Sequence, residues 1–96
     1  MQPKVAVVIL NYNGKNWLEK FLPNVIQHTT YPNAEIIIAD NASTDDSVSF
    51  LKTNFPKIKI IQNSANTGYA GGYNEALKKI NSDYYVLLNS DVEVAP

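Results

Sequence analysis

The chain has 96 residues, a formal net charge of −1, eight basic side chains that are all lysine, and no cysteine. That length supports one domain burying roughly 60–65% of its unfolded surface and leaves no room for a second. The composition excludes a basic stripe for a nucleic-acid backbone, an arginine fork for phosphate, a disulfide framework and a thiolate metal site or nucleophile, and it suits a reducing compartment.

The first apolar run, VAVVIL over residues 5–10, turns polar at Asn11. It is too short for a secretion signal or a membrane span, and it reads as a buried strand that ends in the turn NYNG. A helix is predicted from Asn16 to His28, because Trp17, Leu18, Phe21, Leu22, Val25 and Ile26 recur at the spacing of one buried stripe. Pro23 lies inside it and removes a hydrogen bond to the Glu19 carbonyl, so a kink or an early end is expected there. The second strand, EIIIAD over residues 35–40, runs into DNASTDD. Ser43 with Asp46 has capping-box spacing, Asp45 and Asp46 suit a helix amino end, and Val48, Leu51 and Phe55 form an apolar face that Pro56 stops. The third strand, IKIIQ over residues 58–62, precedes NSANTGYAGG. A third helix is expected from about Ala70 through Ala76, Leu77 and Ile80, with Gly71 and Gly72 in its first turn, where backbone approaches something closely. The fourth strand, YYVLL over residues 84–88, ends in NSD.

Strand and helix alternate throughout, and right-handed crossovers make a mainly parallel sheet the expected solution. The fold class is therefore α/β: three layers around about four strands in the spatial order 3-2-1-4, the Rossmann-like half of a doubly wound fold. Ligands of such sheets bind beyond the carboxyl ends of the strands, where the strand order reverses. Here that is the crevice between strands 1 and 4, lined by Asn11 to Gly14 and Asn89 to Asp91, with Asp40 one strand away.

The loops fit neither common nucleotide fingerprint. The first turn has one glycine where a dinucleotide turn needs G-x-G-x-x-G, and NTGYAGG is followed by no P-loop lysine. Phosphates held at this rim need another counter-charge, and a divalent cation on a carboxylate at the end of strand 4 supplies one. Asp91 occupies that position.

VVILNYNG, IIIADNASTDDSV, NTGYAGGYNEAL and LLNSD, in that order and spacing, resemble the amino-terminal portion of family 2 glycosyltransferases of the GT-A fold, in particular their rhamnosyltransferase-like branch. The resemblance covers the whole chain, residues 1–96, as a single partial GT-A domain. It implies binding of a nucleoside-diphosphate sugar, a UDP- or dTDP-sugar foremost, with Mg²⁺ or Mn²⁺, and transfer of a hexosyl group to an acceptor hydroxyl with inversion. By motif it implies that Asn11, Tyr12 and Asn13 line the nucleoside pocket, with Tyr12 a stacking candidate. It implies further that Asp40 accepts a hydrogen bond from a pyrimidine ring N–H, and that Asn41, Gly72, Asn74 and Asn89 add nucleotide contacts. Asp91 matches the last carboxylate of the family's D-x-D motif, which implies that it binds the metal. The first motif position is Asn89, whose amide lacks the charge to ligate a cation well, and Glu93 is a weaker second metal candidate.

The resemblance places the general base well beyond D-x-D, whereas the chain ends at Pro96, five residues after Asp91. The expectation is a nucleotide-binding half without its acceptor-binding half or any catalytic residue of its own, binding donor weakly and transferring nothing. Strand 4 is then an apolar edge, and pairing of two copies through residues 84–88 is expected. The family habit places such proteins in the bacterial cytoplasm, at the inner membrane face. A nucleotidyltransferase-like domain fits less well, since NYNG is not a basic glycine-rich loop. A receiver-like nucleotide-binding module needs acidic residues after strand 1, and a purely structural α/β domain remains the plain alternative, in which Asn, Asp and Gly after strands are turn formers.

Overall fold

A computed structural model describes residues 3–66 and 68–89. Strands and helices alternate: β1 (Val5–Asn11), α1 (Lys15–His28), β2 (Ala34–Asp40), α2 (Ser47–Asn54), β3 (Lys59–Gln62), α3 (Gly68–Leu77) and β4 (Tyr84–Asn89). The strands form one sheet in the order β3-β2-β1-β4, and each of its pairings is parallel. The expected 3-2-1-4 topology is therefore borne out.

Period-two alternation along β1 and β2 feeds two cores. Ala6, Val8, Leu10, Ile37 and Ala39 point to one face, where Ala76 and Ile80 cover them with Tyr73 and Leu77 at the margin. Ile9 and Ile38 point to the other, against Leu18 and Leu22 of α1 and Leu51 of α2. So α1 and α2 lie on one face and α3 on the other, which is how right-handed crossovers reverse direction at β1.

Several local expectations are corrected. The first helix does not stop at Pro23 but continues five residues further to His28. Leu18 and Leu22 are fully buried and contribute roughly 1.5–3 kcal/mol each, which offsets the cost of about 3 kcal/mol for an internal proline. Ile26 belongs to the predicted stripe by spacing yet is 37% exposed. The third helix begins at Gly68 and ends at Leu77, earlier at both ends than the pattern suggests, and Lys79 N and Ile80 N close a final turn on the Ala76 and Leu77 carbonyls. Ser43 and Asp46 make no capping box; α2 begins at Ser47, and Asp46 contributes no side-chain cap.

Strand β4 is an edge, as expected, with Tyr84 62%, Val86 45% and Leu87 45% exposed. No described helix is long and apolar enough to cross a membrane. An open apolar groove lined by Ile26, Ile36, Phe55 and Ile58 lies by the start of β2. Thr29, Glu35, Asn54 and Lys57 also line it.

Candidate functional site

The sheet register brings the polar strand ends together. Asn11 is opposite Asp40, Asp40 is opposite Gln62, and Asn89 is opposite Leu10. The ladder continues past the strands, since Asn41 N donates to the Asn11 carbonyl at 2.8 Å and Asn63 N to the Asp40 carbonyl at 2.7 Å.

Asp40 is 2% exposed, and its carboxylate is already served from within the chain. Oδ1 accepts from Asn11 Nδ2 at 3.0 Å and from Ser43 Oγ at 2.7 Å, and Oδ2 accepts from Ser43 N at 2.9 Å. A buried carboxylate with this many donors pins the turn after β2, a turn in which Ala42 takes the left-handed region at φ 63°. Asn11, fully buried, completes the bridge from β1 and also reaches Ser43 Oγ at 3.3 Å.

Asn13 ties the first loop to the second. Its φ of 53° is one that asparagine tolerates better than most residues. From there its backbone N–H donates to Ser43 Oγ at 2.9 Å, and its Oδ1 accepts from Thr44 N at 2.7 Å and Asp45 N at 3.1 Å. Asp45 then serves two helix starts. Oδ2 accepts from Lys15 N at 3.3 Å at the head of α1, and Oδ1 accepts from the Ser47 backbone N–H at 2.9 Å and from the Ser47 hydroxyl at the head of α2. Partial burial pushes its pKa up, but the Ser47 hydroxyl, the Ser47 and Lys15 amides and the Lys15 charge together hold it below the ordinary aspartate value.

A second network lies under α3. Asn41 Nδ2 donates to Asn66 Oδ1 at 2.9 Å and the Gly68 carbonyl at 3.3 Å, while Asn41 Oδ1 accepts from Asn63 Nδ2 at 3.0 Å. Asn63 Nδ2 also donates to the Gly72 carbonyl at 3.0 Å. Asn63 Oδ1 is buried and has no partner among the described residues. The close approach made by Gly72 is to the sheet: a Cβ there would lie 2.8 Å from Leu10 Cδ1 and 3.0 Å from Asn41 Nδ2. Tyr73, the next residue, brings its hydroxyl to 2.6 Å from the Leu88 carbonyl and 2.6 Å from Asn89 Oδ1.

The structure thus gathers Asn11, Asn13, Asp40, Asn41, Gly72 and Asn89 at one rim, mostly engaged with one another or with neighbouring loops. Tyr12 is 45% exposed, and Asn74 is exposed on α3. Asp91 and Glu93 lie outside the described residues. Among the described residues no group of three or more His, Cys, Asp or Glu is placed to hold a metal ion. Asn63 and the bridging role of Ser43 are additions to the predicted set. Asn63 follows the polar Gln62 that ends β3, one position beyond those at which Asn11 and Asp40 end β1 and β2.

The model of the glycosyl transferase family 2 matches residues 6–96 of the chain. The chain belongs to the family 2 glycosyltransferases. An Escherichia coli relative, UDP-Glc:alpha-D-GlcNAc-diphosphoundecaprenol beta-1,3-glucosyltransferase WfaP, is 36% identical over 91% of this chain and 35% of its own length. A Mycobacterium tuberculosis N-acetylglucosaminyl-diphospho-decaprenol L-rhamnosyltransferase is 25% identical over 100% of this chain and 34% of its own length. Among solved structures, the Pyrobaculum calidifontis mannosyltransferase PcManGT, in complex with GDP-Man and Mn²⁺, superposes with a TM-score of 0.80 at 24% identity, covering 95% of this chain and 28% of that one. This family 2 chain spans about a third of the length of the curated relatives it matches.

Proposed function

We propose that the chain is the nucleotide-diphospho-sugar-binding half of a glycosyltransferase whose parent enzyme transfers a hexosyl group to an acceptor hydroxyl with inversion, acceptor-binding and general-base residues lying outside residues 1–96. The observation that carries this reading is the rim. Four parallel strands end side by side at the order-reversal point in a chain that matches the family over residues 6–96. Solved relatives bound to nucleotides support it, including Staphylococcus aureus TarS 1–349 in complex with UDP-GlcNAc.

Within the site we assign two tiers. Asn11, Asn13, Asp40, Asn41 and Gly72 shape the floor and fix the loops, and any contact between Asp40 and a pyrimidine N–H is made by the one lone-pair position its chain partners leave. Tyr12, Asn74 and Asn89 face the nucleotide, with Tyr12 stacking on the base. Asp91, with Glu93 as a lesser partner, holds Mg²⁺ or Mn²⁺. Bound there, the cation supplies the positive charge against a diphosphate that a chain without arginine otherwise lacks. UDP and dTDP are the assigned carriers. The parent protein works at the cytoplasmic membrane face in cell-envelope polysaccharide synthesis, a reading supported by relatives named for polyprenol-diphosphate acceptors. Two copies of this chain pair through β4.

Titrating UDP, dTDP and GDP with and without Mn²⁺ by calorimetry tests the central reading. Metal-dependent binding of UDP or dTDP that Asp91→Ala abolishes is expected; no response to any nucleotide overturns it. Glycosyl transfer by the chain alone overturns the half-site assignment. Light scattering that finds only monomer at high concentration overturns pairing through β4.

A further inference from the structure

Two adjacent residues of α3 tie the glycine-rich segment to the sheet rim. Gly72 binds the loop after β3 through its carbonyl, and Tyr73 binds the end of β4. The Tyr73 ring packs on the core cluster of Ala6, Val8, Leu10 and Ile80, so packing fixes the position of the hydroxyl. That hydroxyl lies 2.6 Å from two oxygens, the Leu88 carbonyl and Asn89 Oδ1.

A phenol has one proton. The Leu88 carbonyl can only accept it, whereas an asparagine amide presents either its oxygen or its NH₂ in the same volume. We propose that Tyr73 is a positioning residue of the donor site: its hydroxyl donates to the Leu88 carbonyl and accepts from the Asn89 amide NH₂. Asn89 is thereby held with its oxygen turned away from α3, as an acceptor for a hydroxyl of the bound nucleotide sugar. The inference rests on the nucleotide-binding reading above and deepens it. Asn89 then acts as a hydrogen-bond acceptor whose direction is set by a neighbouring helix.

Tyr85 provides an internal control. Its hydroxyl donates to the Ile80 carbonyl at 3.0 Å, joining β4 to the turn after α3 away from Asn89. Tyr73→Phe and Tyr85→Phe each delete one hydroxyl from a tyrosine of this same region. In the 96-residue chain, Tyr73→Phe is expected to weaken binding of UDP with Mn²⁺ by about three- to tenfold, the effect of one misplaced hydrogen bond. It is also expected to shift the Asn89 side-chain NH₂ resonances and speed their exchange with water. Tyr85→Phe is expected to do neither, even where it lowers the melting temperature as much. Equal UDP affinity in the parent and Tyr73→Phe overturns the proposal, as do unmoved Asn89 NH₂ resonances. Should the parent bind no nucleotide, the nucleotide-site reading fails, and with it the ligand role given to Asn89; the resonances then report only whether Tyr73 holds that amide.

Discussion

Gly72→Ala separates two roles for a glycine that lies in the middle of α3 and not, as the sequence pattern suggests, in its first turn: packing against the sheet and approach to a ligand. The added Cβ would sit 2.8 Å from Leu10 Cδ1, 3.0 Å from Asn41 Nδ2 and 3.1 Å from Asn41 Cγ. Leu10 is 4% exposed within the core, and three hydrogen bonds hold the Asn41 amide, so neither retreats cheaply. Overpacking of this kind costs about 1–3 kcal/mol. Alanine recovers about 0.5–1 kcal/mol of helix propensity and unfolded-state entropy over glycine, so the net loss centres on about 1 kcal/mol. Urea unfolding followed by circular dichroism reads it as a lower midpoint at an unchanged slope. The loss is expected without any nucleotide present, because the clash is with the protein itself. A Gly72→Ala chain as stable as the parent, yet weaker in binding UDP, would refute the packing argument and assign the glycine to ligand approach.

Asp40→Asn places an NH₂ group among Asn11 Nδ2, Ser43 Oγ and Ser43 N, so at least one donor then faces another donor in a buried site. A loss of about 2–4 kcal/mol in denaturant unfolding is expected, and a loss under 0.5 kcal/mol would contradict the bridge described here. Ala42→Gly relieves the left-handed strain of an alanine at φ 63° and should be neutral or stabilising by up to about 1 kcal/mol; a clear drop in melting temperature counts against that strain. Asp45 has a folded pKa below its unfolded value. Its contribution is therefore present above about pH 4 and is lost as pH falls through the folded value. Asp45→Asn should show a shallower decline in stability below pH 4 than the parent, and parallel acid-unfolding profiles would exclude this linkage.

The strands and their order were legible because each is a short run of β-branched and aliphatic residues cut off by Asn or Asp, and because crossover handedness leaves few arrangements. What was not legible depends on partners distant in the chain. Ser43 at three residues from Asp46 has the spacing of a capping box, yet its hydroxyl serves Asp40 and the backbone of Asn13, 30 residues away. Pro23 reads locally as a breaker, and only the burial of Leu18 and Leu22 on either side of the preceding turn explains the intact helix. Gly72 was legible as a point of close approach, though the sequence does not say to what. Asn63 opens a long polar stretch, NSANTGYAGG, in which nothing local marks it out; its role depends on Asn41 and Gly72, both distant in the chain.

The division of the rim into a hydrogen-bonded floor and a less engaged tier follows from its electrostatics. A chain whose basic residues are all lysine has no guanidinium forks with which to brace loops, so the loops after β1, β2 and β3 are braced by short neutral amides and hydroxyls around two aspartates. Asn11 and Asn13 hold the first loop to the second, Asp40 and Asp45 collect their donors, and Asn41 with Asn63 holds the second and third loops to α3. The buried members, Asn11, Asp40, Asn41 and Asn63, are desolvated and directional, which makes them good scaffolding and poor first contacts for an incoming ligand. Substitutions in the floor should therefore change stability first and nucleotide affinity only in proportion. Substitutions of Tyr12 or Asn74, which stand outside it, should lower affinity while leaving the unfolding midpoint within the range of an ordinary surface change.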